Sequence, residues 1–378
     1  MPTVAPVPNA ASDEQARFFA GGIPVEIGKI QKELKKLWQN SDHVATRASR
    51  LNLVVYSAAA HSIRANTALV AEIARQHALR AILIANKPAH PGEGVRAWVN
   101  AHCQLSKTGA KQRCSEQIAF QFQGKAADFS LIPNVVFGHL DSDLPLYLWW
   151  QGDFPQPAPG EQLLAWVDRL LFDSADWSDA RAQFAVLREI CAANPRLKTA
   201  LGDLDWTRLI TWRSAIAQFF DLPGRHDLAE LDRVEITHAP TGRLTALLLL
   251  GWLALRLGWQ AEAAADGSLV CKSGAGAGAR SIAVTLREGA AAGSIQKLTL
   301  GTTGGAQFCI NRGETSDFFN TRAQLAPNER EHFQVLRAGS EKLADLVSEE
   351  LTHSGNHRVY LRVLDVVERL LPAAAATA

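Results

Sequence analysis

The chain has 378 residues, enough for two domains of ordinary size, and 47% of them are apolar, which supports substantial cores. Its 39 basic and 38 acidic side chains leave a formal charge of +1, so there is no global electrostatic case for nucleic acid or an anionic membrane. Five cysteines, Cys103, Cys114, Cys191, Cys271 and Cys309, are odd in number and widely spaced without a CxxC, which points to neither a disulfide framework nor a zinc site.

The opening MPTVAPVPNAASDEQARFF has neither a charged n-region nor an apolar core, so residues 1–22 are expected to be a disordered lead-in and the protein cytoplasmic. Next, VEIGKIQKELKKLWQ places Ile27, Ile30, Leu34 and Leu37 at steps of 3, 4 and 3, the spacing of an amphipathic helix with a basic outer face. RLNLVVYS, NTALVAEIARQHAL and RAILIAN then read as strand, helix and strand, a βαβ unit. VRAWVNAHCQ and SEQIAFQFQG are two β-like segments flanking a polar loop, DFSLIPNVVFGHL holds a short helix, and DLPLYLWWQGDFP is a strand. LLAWVDRLLFDSADW and DARAQFAVLREICAAN continue the alternation of helix and strand.

GDLDWTRLITWRSAIAQFFD follows, with Leu209, Trp212, Ile216 and Phe219 on one helix face and Asp203 or Asp205 placed to cap its start. RVEITHAP reads as a strand. LTALLLLGWLALRLGW runs only 12 residues before Arg256, where a membrane span needs about 20, so it is read as a buried helix whose glycines, Gly242, Gly251 and Gly258, permit close packing or end it. Four short β-like runs, SLVCKS, RSIAVTLREG, SIQKLTLGT and AQFCINRG, precede two helices, SEKLADLVSEELT and RVYLRVLDVVERLL, and an Ala-rich tail. The predicted fold class is α/β in two domains, an N-terminal mainly parallel α/β domain over 23–200 and a C-terminal α+β domain over 231–372. An interdomain helix over 201–230 joins them, and 373–378 is a disordered tail.

No catalytic signature such as GxSxG or HExxH is present. SGAGAGARS, residues 273–281, joins two β-like runs instead of opening a helix, so it is read as a hairpin loop and not a nucleotide fingerprint. HAPTGRLT lies between a strand and a helix, where Thr241, Gly242 and Arg243 are anion-binding candidates beside a Pro-Thr-Gly helix start. His102 and Cys103 point to opposite faces of a strand, so they do not make a metal site with Cys114; Cys103 and Cys114 remain redox candidates. Trp206, Arg208, Trp212 and Arg213 crowd eight positions, with Arg208 one turn before Trp212 and able to stack on it. Trp and Arg favour interfaces, so these four residues, with Trp149 and Trp150, are the partner-binding candidates or the residues that shape that surface. Of the two consecutive tryptophans, one is expected in the core and the other near an edge. Asp203 and Asp205, two apart on a helix, do not face one another and make a poor catalytic pair.

GIPVEIGKIQKELKKLW, RASRLNLVVYS, CSEQIAF, DLPLYLWWQGDFP, GDLDWTRLITWRSAIAQFFD and ALLLLGWLALRLGW, in this order over about residues 22–260, resemble the OpcA family of glucose-6-phosphate dehydrogenase assembly proteins. The most specific parts are the DLxWTRL block with its following Trp-Arg, and DLPxxLWW. The resemblance implies a non-enzymatic role without a cofactor: assembly and allosteric activation of glucose-6-phosphate dehydrogenase, in support of the oxidative pentose phosphate pathway and NADPH supply. The alternative is a sugar-phosphate or nucleotide-binding regulatory sensor using HAPTGRLT. Some relatives carry paired cysteines before EQI, whereas this chain reads RCSEQI with Ser115 after Cys114, so the motif does not carry a thiol control over.

Overall fold

Apolar strands alternating with helices build the first part of the chain, and an antiparallel meander closed by helices builds the second. The computed structural model describes residues 22–39, 45–47, 49–58, 62–105, 112–156, 164–193, 199–221, 227–264, 266–274, 279–290, 293–313, 317–325, 330–353, 355 and 357–371. The expected tails, apart from Gly22, and residues 275–278 of the Gly-Ala loop lie outside the described residues. The described residues gather into two compact units, one from 22–152, 164–172 and 199–200, the other from 153–156, 173–193 and 201–371. Residues 173–193, placed in the first domain by the sequence reading, therefore cluster with the second, as do residues 201–221 of the expected interdomain helix.

In the first unit, strands β1 (Ile23–Val25), β2 (Ala45–Arg47), β3 (Asn52–Ser57), β4 (Arg80–Lys87), β5 (Gly94–Leu105), β6 (Gln112–Gln123), β7 (Leu146–Gln151) and β8 (Arg169–Phe172) form one sheet. Its order is β1-β5-β6-β4-β3-β7-β8, with β2 beside β6. Neighbours from β6 to β8 are parallel, while β5 and β1 add an antiparallel edge. Helix α1 (Ile30–Gln39) buries Ile30 and Leu34. Ile27 belongs instead to a preceding 3₁₀ turn and stays exposed, so the helical face is one residue shorter than its periodicity suggested. Helix α2 (Ser62–Ile73) is the crossover between parallel strands β3 and β4, completing the βαβ unit, and α3 (Ile132–Phe137) is the short helix before β7. Every residue of β3 and β8 is buried, as expected for parallel strands covered on both faces.

Strand β9 (Ala200–Asp203) carries the chain into the second unit, after helix α4 (Ala180–Ala193). There follow helices α5 (Leu204–Arg208) and α6 (Ile210–Phe220), strand β10 (Leu231–His238) and helix α7 (Arg243–Leu257). Strands β11 (Trp259–Ala263), β12 (Leu269–Ser273), β13 (Arg280–Glu288), β14 (Ile295–Thr302), β15 (Gln307–Arg312), β16 (Phe318–Gln324) and β17 (His332–Arg337) come next, then α8 (Leu343–Thr352) and α9 (Arg358–Leu370). The sheet runs β11-β12-β13-β10-β14-β15-β16-β17, antiparallel except for β10 with β13. Its register lines up Ile236 with Leu298 and Ile310, all buried, while Glu235, Thr299 and Arg322 alternate away from that face. The apolar helix α7 is buried, and Gly251 lets α9 approach it: a Cβ there would stand 3.0 Å from Val367 Cγ2 and 3.2 Å from Val363 Cγ1. The helix ends on the left-handed Gly258.

Candidate functional site

The GDLDWTRL stretch lies in a buried knot of ionisable groups in the second unit. Asp203 ends β9 with extended backbone and caps α5, its Oδ1 accepting from the Asp205 amide at 3.0 Å. The same oxygen accepts from the Ser174 amide at 3.0 Å, and Oδ2 accepts from the Ser174 hydroxyl at 2.7 Å and the Tyr360 hydroxyl at 2.8 Å. Asp205 Oδ1 accepts from the Thr245 hydroxyl at 2.7 Å, while its Oδ2 is buried without a hydrogen-bond partner among the described residues. Arg208 donates to both oxygens of Asp173, at 2.7 and 2.6 Å, and its Nη1 lies 3.7 Å from Asp205. Thr207 donates to Glu350, whose carboxyl stands 3.1 Å from His357 Nε2.

Three carboxyls thus share one guanidinium in a dry environment, and their acidities follow. Burial, then the charge of Asp173, pushes Asp203 up to about 6 against the pull of its donors. Asp205 is raised well above the usual carboxylate range by burial and then by Asp203, with Arg208 opposing. Burial pulls Arg208 down, but its bonds to Asp173 and the fields of the aspartates outweigh that and raise it. Tyr360 is held protonated by burial and by Asp203. Asp203 and Asp205 are 1% and 0% exposed, so no substrate reaches them. What the arrangement does is mechanical: it ties β9, α5, the Asp173–Ser174 turn, α7, α8 and α9 together.

The partner-binding candidates are mostly inside. Trp206, Trp212, Trp149 and Trp150 are buried, so their rings shape the surface instead of forming it. Arg208 does not stack on Trp212, because the charge-assisted fork to Asp173 outcompetes a ring face. Arg213 is the stacking cation, 3.6 Å above Trp206, and Trp212 packs against Phe319 with centroids 4.5 Å apart. Burial, then Arg256, pulls the Arg213 guanidinium down. The core-and-edge expectation for Trp149 and Trp150 also fails: β7 lies between β3 and β8 and is covered on both faces, and Trp150 stacks on Tyr56 at 4.0 Å.

Of the anion-binding candidates, Thr241 and Arg243 are exposed, whereas Gly242 is buried with its amide committed to the Ala239 carbonyl. Gly242 is there for closeness, since a Cβ would meet the Ser294 carbonyl at 2.0 Å. Thr241 and Arg243 line a cavity of about 510 Å³ with Ser174, Trp177, Asp179 and Arg181; Arg181 is turned to the Glu368 and Leu371 carbonyls. The redox candidates Cys103 and Cys114 face each other across the β5–β6 hairpin and are joined by a disulfide. His102, beside them, points to Gln117 at 2.8 Å, and burial lowers its pKa. Among the described residues no three His, Cys, Asp or Glu side chains gather as a metal site. No described helix is long and apolar enough to cross a membrane. Sequence reasoning missed Asp173, Ser174, Thr245, Glu350 and Tyr360, which come to the cluster from 29 to 157 positions away and carry no local signal.

Residues 70–189 match the family model described as the glucose-6-phosphate dehydrogenase subunit N-terminal domain, and residues 199–364 match the corresponding C-terminal domain. A protein of Nostoc punctiforme named "Putative OxPP cycle protein OpcA" is 35% identical over 172 residues, covering 44% of this chain and 36% of that protein. Its namesake in Synechococcus elongatus is 33% identical over 171 residues, covering 44% and 37%. The matched segment therefore spans little more than a third of these relatives. Among solved structures, KijD10, a 3-ketoreductase from Actinomadura kijaniata in complex with NADP, is 11% identical with a TM-score of 0.44, covering 85% of this chain and 96% of that one.

Proposed function

The chain belongs to the OpcA family, and on that premise we propose that it is a non-catalytic assembly factor and allosteric activator of glucose-6-phosphate dehydrogenase, serving the oxidative pentose phosphate pathway and its NADPH output in the cytoplasm. The observation that carries this reading is the sealing of Asp203 and Asp205: the motif's carboxyls are spent on internal donors, which suits a scaffold better than an active site. An activator must bind the active state of its partner more tightly than the inactive one, and a differential of about 1–3 kcal/mol gives roughly 5–150-fold coupling. Trp206, Arg208, Trp212 and Arg213 serve that contact indirectly, by fixing α6 so that Ser214, Ala217 and Gln218 face outward. Trp149 and Trp150 do the same for the sheet of the first unit.

The test is to mix the purified chain with the glucose-6-phosphate dehydrogenase of the same organism, and to record rate against glucose 6-phosphate together with mass by light scattering. A lower half-saturation or higher maximal rate with a heavier complex is expected; unchanged rate and mass would refute the reading. The cavity beside Thr241 and Arg243 favours a second reading, a sugar-phosphate or nucleotide sensor. That reading requires a ligand-dependent rise in Tm without any partner protein.

A further inference from the structure

Strand β17 is the last strand of the second sheet, and five of its six side chains are exposed, with Leu336 half-buried. Phe333 is 56% and Val335 54% exposed, and Phe318, opposite Arg337 on β16, is 50% exposed. A terminal strand with apolar side chains in water is a template for further pairing, and edge strands that remain unpaired are usually blunted by lysine, proline or a bulge. His332–Arg337 contains no lysine or proline, and its register with β16 runs unbroken from Phe318 to Ala323.

The side chains along this edge are self-complementary. Glu331, Phe333, Val335 and Arg337 alternate and so share one face of the strand. If the strand pairs antiparallel with a second copy about a two-fold axis at Gln334, Glu331 stands opposite Arg337 of the partner subunit. Phe333 then stands opposite Val335 of the partner subunit. Symmetry makes each pair occur twice, giving two ion pairs and two apolar pairs on one face. Moving the axis to Val335 puts Phe333 against Arg337 of the partner subunit, and moving it to Phe333 puts Glu331 against Val335 of the partner subunit. Only the Gln334 register satisfies both the charges and the apolar residues. Glu331 lies 3.8 Å from Arg322 within its own chain, a solvent-exposed pair of little energetic weight that leaves the carboxylate available.

We propose that β17 is the pairing edge of a homodimer, in which two copies of this chain join their second-unit sheets through antiparallel β17 strands centred on Gln334. The proposal does not depend on the dehydrogenase reading.

Sedimentation velocity on the full chain tests it. The expected species at micromolar concentration has twice the 41.0 kDa chain mass. Glu331→Arg and Arg337→Glu each place like charges opposite one another at two symmetric positions, and each is expected to weaken dimerisation by about tenfold or more. The double variant Glu331→Arg/Arg337→Glu restores opposite charges and should return the dissociation constant to within about threefold of the original. Circular dichroism of all four proteins should coincide, since these side chains are exposed. A chain that stays monomeric up to about 100 μM overturns the proposal. A dimer insensitive to the single reversals, or one that the double variant fails to rescue, overturns it equally.

Discussion

Asp203→Asn separates the structural role of the carboxyl from its charge. Asparagine caps a helix as well as aspartate does, and its Oδ1 keeps the two amide donors, Ser174 and Asp205. Its Nδ2 then faces the hydroxyls of Ser174 and Tyr360, which rotate to accept. The fold is therefore retained while the titration disappears. In the wild type, burial and Asp173 raise Asp203 from 3.8 to about 6, so the folded chain holds this proton more tightly than the unfolded one. Its contribution to stability is fully present below about pH 4, is lost as pH rises through about 6, and is constant above that. At about 1.4 kcal/mol per unit, the two-unit rise corresponds to about 3 kcal/mol. Asp176 is raised as well, by burial first, and contributes alike in both proteins. Asp205, raised by burial and then by Asp203, loses the second of these in the variant, which acts in the same sense as the loss of the Asp203 titration. Urea denaturation of wild type and Asp203→Asn at pH 4, 5, 6 and 7 should show near-equal stabilities at pH 4. The variant should then gain, by up to about 3 kcal/mol, as pH rises to 6. A difference that does not change with pH would refute the reasoning. So would a wild type that gains on the variant, because its four donors would then be holding Asp203 ionised.

Arg208→Ala leaves Asp173 buried beside two other aspartates with no cation, and should cost about 3–5 kcal/mol, read as a lower urea midpoint at unchanged m. Arg208→Lys should recover only part of that, since an ammonium cannot reproduce the two-pronged bond. Gly251→Leu drives a side chain into Val363 and Val367 where α7 meets α9, and should cost about 1–3 kcal/mol, measured as a lower Tm.

Much of the architecture was legible in local pattern. Apolar, β-branched runs such as NLVVYS and RAILIAN read as covered strands, and the strand–helix–strand alternation points to their parallel pairing, as β3, α2 and β4 show. The 3.6-residue spacing of Leu209, Trp212, Ile216 and Phe219 correctly assigned all four to a buried face. Strands β11, β16 and β17 escaped, because WQAEA, FFNTRAQ and HFQVLR mix polar and apolar residues without strong turn signals, and pairing with neighbours decides them. The same limit applies at the site. Asp203 was recognisable as a cap from its neighbours alone, but whether it was also an active-site acid depended on Ser174 and Tyr360, which no local pattern connects to it.

The sequence by itself determined the two-part α/β organisation, the absence of a catalytic signature, the buried helix LTALLLLGWLALRLGW and the family resemblance, since each rests on short-range periodicity or contiguous motifs. Only the tertiary structure decided that the tryptophans of the conspicuous motifs lie inside, that Arg208 serves Asp173, that Cys103 and Cys114 are bonded, and that β17 ends the order of described strands in its sheet with its side chains mostly exposed. The physical reason is that exposure and charge pairing depend on which distant segments come to lie against a residue. A tryptophan or an arginine carries the same local pattern whether it faces water or a carboxylate brought from elsewhere in the chain.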